Sequence, residues 1–132
     1  MKLLLDTNIF LEIILDQERA SEAKSLLLCT DQHDFYLSDY SLHSIGLLLF
    51  RRNQHKMFQE FVNDVILDGG VRILSLASNE IGEVAQAAQK FNLDFDDAYQ
   101  YTLVTTTNAD LVSFDKDFSR TDLEYKVPSE IM

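Results

Sequence analysis

The run Leu3-Leu4-Leu5 reads as a buried strand, yet it ends on a carboxylate, Asp6, and the apolar pattern resumes at Ile9 with helical spacing. The same change of period recurs along the chain. "FYLS" (35–38) precedes Leu42, Ile45, Leu49 and Phe50 at helical intervals, and "VRILSL" (71–76) precedes Ile81, Val84, Ala85 and Ala88. "ADLVSF" (109–114) and "LEYKV" (123–127) supply two further strands, with Pro128 ending the second. Strands separated by helices need crossover connections, and so form a mostly parallel sheet covered on both faces. The pattern predicts a single three-layer α/β/α domain over residues 1–132, with five strands.

The intervening segments set the expected helix limits. Ile9 to Cys29 is helical in pattern, with a break near Asp16. Asp39 stands where an N-cap would open a helix running to Arg52, because its carboxylate can take up a free backbone N–H. Leu47 and Leu48 make that helix apolar nearly all round, so it is either deeply buried or part of a subunit interface. Phe58, Phe61, Val62, Val65 and Ile66 form the next stripe, stopped by "DGG" (68–70). Ser78 is expected to cap the helix after the third strand. A last helix opens near Asp94, with Phe95, Ala98, Tyr99, Thr102 and Leu103 on one face.

Composition limits the function classes. The 22 acids against 11 Lys plus Arg give a net charge of −11, a field that opposes a polyanion and suits a divalent cation or a basic partner. Asp6 and Glu12 interrupt the N-terminal apolar runs, so neither a signal peptide nor a membrane span is expected. The one cysteine, Cys29, cannot form an internal disulfide, and a reducing, cytoplasmic compartment is the expectation.

In a parallel sheet, ligands bind in the crevice beyond the carboxyl ends of the strands. Asp6 ends the first strand and Asp115 follows the fourth, so both face that crevice. "DFDDAYQY" (94–101) adds Asp96 and Asp97 in the first turn of a helix, where negative charge is favoured by the helix dipole. Successive helical side chains diverge by about 100°. Asp97, beside the core position Ala98, borders the buried face, while Asp96 lies toward solvent. "LVSFDKDF" (111–118) places Asp115 and Asp117 at alternate positions, which in extended chain point the same way. Carboxylates gathered at one crevice raise each other's pKa unless a cation lies between them. An all-oxygen donor set favours Mg²⁺ or Mn²⁺. His33, His43 and His55 show no zinc spacing. Metal pairs about 3.5–4 Å apart can activate water and stabilise the leaving oxygen of a phosphodiester.

"LLLDTNIFLE", "DFDDAYQYTLV" and "ADLVSFDKDF" resemble, in order and spacing, the three acidic motifs of the PIN-domain family, and the resemblance spans essentially the whole chain. It implies a parallel sheet in the order 3-2-1-4-5 and a Mg²⁺- or Mn²⁺-dependent ribonuclease acting on RNA. Small members of this kind, the VapC-like group, are often homodimeric toxins silenced by an antitoxin protein. Matched by position, the family's metal-coordinating aspartates fall on Asp6, Asp97 and Asp115, with Asp117 as an additional acid. Thr7 completes the first motif, and Asn8 and Ser113 fall on orienting hydrogen-bond positions. The family usually places a glutamate early in its second conserved helix. "SDYSLHSIG" (38–46) has none, and by spacing Ser44 or His43 stands in its place. Asp39 and Asp96 are the acids available to replace it.

Two function classes follow. One is the metal-dependent ribonuclease, with RNA drawn in by "RRNQHK" (51–56), Lys116 and Arg120. The other is a catalytically degenerate PIN fold that binds a protein or forms a dimeric scaffold. A haloacid-dehalogenase-like phosphatase is disfavoured because Asn8 stands where its second aspartate belongs. A receiver domain is disfavoured because "VRILSLA" offers no aspartate to phosphorylate.

Overall fold

A computed structural model describes residues 1–29 and 31–131. Strand β1 (Lys2–Leu5) leads into helices α1 (Thr7–Ile14) and α2 (Ala20–Leu27), and β2 (Asp34–Ser38) into α3 (Asp39–Arg51) and α4 (His55–Phe61). Strand β3 (Arg72–Leu74) is followed by α5 (Gly82–Phe91) and α6 (Phe95–Thr107), and then β4 (Asp110–Val112). All pairings are parallel, in the order β3-β2-β1-β4.

The three leucines of β1 are completely buried because that strand is central and both of its faces are covered. Leu3 and Leu5 join Phe35, Leu37 and Val112 on one face, against Ile9, Phe10, Ala23, Leu26, Ile45 and Leu49. Leu4 joins Tyr36 and Leu111 on the other, against Val84, Ala98, Leu103 and Val104. The period-two alternation of a strand thus divides one short run between two cores. Helices α1 to α4 cover one side of the sheet, and α5 and α6 the other.

Among the described residues the sheet has four strands rather than the five expected. Residues 123–127 reach β4 through a single parallel bridge, Val112 to Lys126. The Lys126 N–H donates to the Leu111 carbonyl at 3.0 Å, and the Ser113 N–H donates to the Lys126 carbonyl at 2.9 Å. β4 itself has only three residues, and Pro128, which has no N–H, begins a 3₁₀ turn two residues later. Neither side offers the length for a ladder.

Three local expectations also change. Ser38, not Asp39, caps α3, its hydroxyl accepting from the Ser41 N–H. Ser78 precedes α5 without capping it, and Ile81, at the N-terminus of that helix, is 52% exposed. The buried face of α5 is Val84 and Ala87 rather than Ala85. Helix α4 continues as a π-helical turn over Val62–Leu67 and stops at Gly69, where a Cβ would lie 2.6 Å from the Val65 carbonyl oxygen. Only glycine fits so close an approach. The break near Asp16 falls where expected, with that residue at φ 50° between α1 and α2.

Candidate metal centre

Asp6 leaves β1 with extended backbone and is at once the N-cap of α1. One carboxylate oxygen, Oδ1, accepts from the Thr7 N–H at 2.8 Å and from Gln100 Nε2 at 3.0 Å. The other, Oδ2, accepts from the Ser113 hydroxyl at 2.7 Å and from Asn8 Nδ2 at 3.4 Å. Asp6 is 6% exposed. Burial pushes its carboxyl above the usual range, and the hydrogen bonds from Ser113, Gln100 and Thr7 oppose that rise.

Helix α6 delivers the second acid. Asp94 caps it, accepting from the Asp97 N–H at 3.0 Å, so the capping role falls on neither Asp96 nor Asp97. This frees the buried Asp97 side chain to face the crevice. The third acid, Asp115, follows β4 and caps a 3₁₀ turn (Lys116–Arg120), accepting from the Asp117 N–H at 2.8 Å. One oxygen from each of Asp6, Asp97 and Asp115 lies within 4.8 Å of the others. Burial first, and then the charge of Asp115, push the Asp97 carboxyl up to about 8.

Around the acids, Ser113 is wholly buried and joins three segments. Besides donating to Asp6, its hydroxyl accepts from Asn8 Nδ2 at 3.2 Å and from the Asp115 N–H at 2.9 Å. Asn8 Oδ1 in turn accepts from the Phe114 N–H at 3.2 Å. Asn8 therefore ties the start of α1 to the loop that carries Asp115.

The remaining acids lie outside the three-acid cluster. Asp39 accepts from the Tyr99 hydroxyl at 2.6 Å and from the Tyr40 N–H at 2.9 Å. Asp96 accepts from the Tyr40 hydroxyl, and both aspartates are exposed. Asp117 faces Arg120 at 3.5 Å. Ser44 is half-buried without a side-chain hydrogen bond among the described residues, and His43 is exposed.

Two residues enter the site unannounced by the acidic motifs, Gln100 and Ser41. Gln100 Nε2 bridges Asp6 to the Ser41 hydroxyl, which lies 3.1 Å away. That hydroxyl also accepts from Thr7 Oγ1 at 2.7 Å and from Ser38 Oγ at 3.0 Å. The signal for Gln100 was its spacing: three residues beyond Asp97, it lies on the same side of α6. Ser41 stands at the same interval from the cap, Ser38.

The donor chemistry fits a hard divalent cation. Three carboxylates converge with no nitrogen or sulfur among them, and burial together with their mutual repulsion holds Asp97 protonated well above its ordinary range. A sequence profile described as the PIN domain matches residues 3–124. The chain belongs to the PIN-domain family. No curated protein sequence matches it. Solved structures show the same PIN fold at low identity. The VapBC2 structure from Rickettsia felis, bound to a DNA fragment from its promoter, superposes with a TM-score of 0.76 at 17% identity, covering 95% of this chain and 98% of its own. VapC20 from Mycobacterium tuberculosis, described as a sarcin–ricin loop cleaving toxin, gives 0.76 at 19%, covering 92% and 96%. A toxin–antitoxin complex from Klebsiella pneumoniae gives 0.66 at 20%, covering 89% and 90%.

Proposed function

We propose that this PIN domain is a ribonuclease dependent on Mg²⁺ or Mn²⁺, and the toxin of a toxin–antitoxin pair. One observation carries the reading: Asp6, Asp97 and Asp115, from three separated segments, bring oxygens within 4.8 Å of one another at the carboxyl ends of the central strands. These three aspartates would hold the cation. Bound there, a divalent ion lowers the pKa of water and offsets charge developing on a phosphodiester.

The protein's own groups prepare that chemistry. Ser113 and Asn8 fix Asp6 Oδ2, and the Thr7 N–H fixes Oδ1, so that the carboxylate does not have to reorganise when the cation enters. Asp117 remains an additional acid at the rim, its charge offset by Arg120. RNA meets an acidic protein, so its approach relies on local cations. Lys116 and Arg120 beside the site, with Arg51 and Arg52 at the end of α3, are exposed and suited to phosphate contacts.

The toxin assignment, an antitoxin partner and a cytoplasmic setting rest on family membership and on the likeness to toxin folds. No helix among the described residues is long and apolar enough to cross a membrane. A homodimer is supported by α3, whose Leu47 and Phe50 are 42% and 49% exposed.

Cleavage of end-labelled RNA by purified protein, with Mn²⁺, Mg²⁺ or EDTA, tests the reading. Metal-dependent cleavage that falls more than about 100-fold in Asp97→Asn is expected, exceeding the loss typical when only a partner of a ligand is removed. The lack of the family's usual glutamate in residues 38–46, with Ser44 or His43 in its place, favours the second reading, a degenerate scaffold. A chain that neither binds Mn²⁺ nor cleaves a varied RNA pool would establish that one instead.

A further inference from the structure

The densest group of cations in this acidic chain lies at the wrong end of its helix. Residues 40–59 contain no Asp or Glu and carry Arg51, Arg52 and Lys56, in a chain with 22 acids. All three cations are exposed, and none forms an ion pair among the described residues. Helix α3 starts at the crevice, where the Ser41 hydroxyl accepts from Thr7 and Gln100 and the Tyr40 hydroxyl donates to Asp96. It then runs away from it. At 1.5 Å per residue, Arg51 lies about 18 Å along the axis from Asp39. The crevice end is acidic instead, with Asp39, Asp94 and Asp96 exposed.

Between these ends the outer side of α3 is apolar. Leu42, Gly46, Leu47 and Phe50, with Phe58 of α4, line an open groove of about 420 Å³ that reaches Asp39 at its crevice end. Acid at one end and cations at the other make this surface complementary to a second copy laid antiparallel across it. Such a two-fold contact matches a patch with itself. Two chains of net charge −11 repel each other, and an acid-free stretch is where they can meet at least cost. The apolar positions 42 to 50 centre on Gly46, which has no side chain to hold a second helix off. With the two-fold axis there, Leu42 faces the partner's Phe50, and Tyr40 faces the partner's Arg52.

We propose that two copies of this chain pack antiparallel along α3, and that each crevice is completed by Arg51 and Arg52 of the partner subunit. The arginines offset the acidic rim at Asp39 and Asp96 and take the phosphates of the RNA. This rests on the ribonuclease reading above.

Differently tagged chains, co-expressed and purified through both tags, test the assignment by cleavage of end-labelled RNA with Mn²⁺. One chain carries Asp97→Asn and keeps its arginines. The other carries Arg51→Gln with Arg52→Gln and keeps its acids. Alone, the arginine variant should cleave roughly 10-fold or more slowly at limiting RNA, the scale of one lost contact to a charged group. The mixed dimer should recover about half of wild-type cleavage, because the acids of one chain then meet the arginines of the other. Arginines acting within their own chain would leave the mixed dimer no faster than the arginine variant, which overturns the inference and spares the nuclease. Full cleavage by the arginine variant overturns it equally. A wild-type nuclease that sediments as a monomer leaves the groove to a different protein and also overturns the inference. A wild-type chain that cleaves no RNA overturns the ribonuclease reading, and the inference with it.

Discussion

Asp97 on α6 and Asp115 after β4 face each other across the crevice, where burial of Asp97, reinforced by the charge of Asp115, keeps a proton on Asp97 up to about pH 8. In the unfolded chain Asp97 gives up that proton near 3.8. Between these values the folded state binds more protons than the unfolded one, so stability falls as pH rises. The contribution is fully present below about pH 4 and is lost as pH climbs through about 8. In EDTA, the melting temperature of wild type should therefore drop relative to Asp97→Asn across this window. Parallel curves for the two proteins would refute the assignment.

The same protonation makes cation binding a proton exchange. At pH 7, Asp97 must lose its proton to accept a metal, because ligating carboxylates are ionised. Calorimetric titration with Mn²⁺ in two buffers of different ionisation enthalpy should report release of about one proton per chain. Identical apparent enthalpies in the two buffers would show that Asp97 is not displaced from its proton by the metal.

Ser113→Ala isolates the brace from the ligands. The hydroxyl serves Asp6, Asn8 and the Asp115 backbone, and alanine leaves all three without that partner. A destabilisation of about 1–3 kcal/mol is expected from the buried groups left unmet. A roughly 10–100-fold loss of Mn²⁺ affinity should accompany it. Urea melts and Mn²⁺ titration of the same preparation measure the two effects. Loss of stability with affinity unchanged would reduce Ser113 to a packing role.

Leu47 and Phe50 test the oligomer. A charged side chain at an exposed apolar position on α3 costs the monomer little, but in the core of an interface it is expensive. Leu47→Glu should convert a dimer to a folded monomer, as measured by sedimentation velocity. A dimer of unchanged affinity would move the interface away from α3.

How legible the fold was depended on the range of the interactions involved. Leu3 to Leu5 announced a central strand because continuous apolarity has few other uses beside a helical stripe. Residues 123–127 also read as a strand, with Leu123, Tyr125 and Val127 at alternate positions, yet they form a single bridge. Pairing depends on the length of the neighbour, and β4 offers only three residues. The cap of α3 moved from Asp39 to Ser38 because both residues suit the role and only the backbone geometry distinguishes them. In the site, the acids stood out as charges in apolar surroundings. Gln100 and Ser41 did not, because their meaning lies in contacts across long separations: Gln100 is 94 residues from Asp6 and 59 from Ser41.

Those separations have a consequence for the chain as it is made. Asp6 emerges from the ribosome 107 residues ahead of Ser113, the side chain that braces its second oxygen. Asp97 and Asp115 also follow Asp6 at long range, 91 and 109 residues later. A nascent chain arrested before β4 can begin to bury its early helices, but it holds only part of the crevice. Until those later residues are made the crevice is incomplete, and the nuclease proposed for it cannot act.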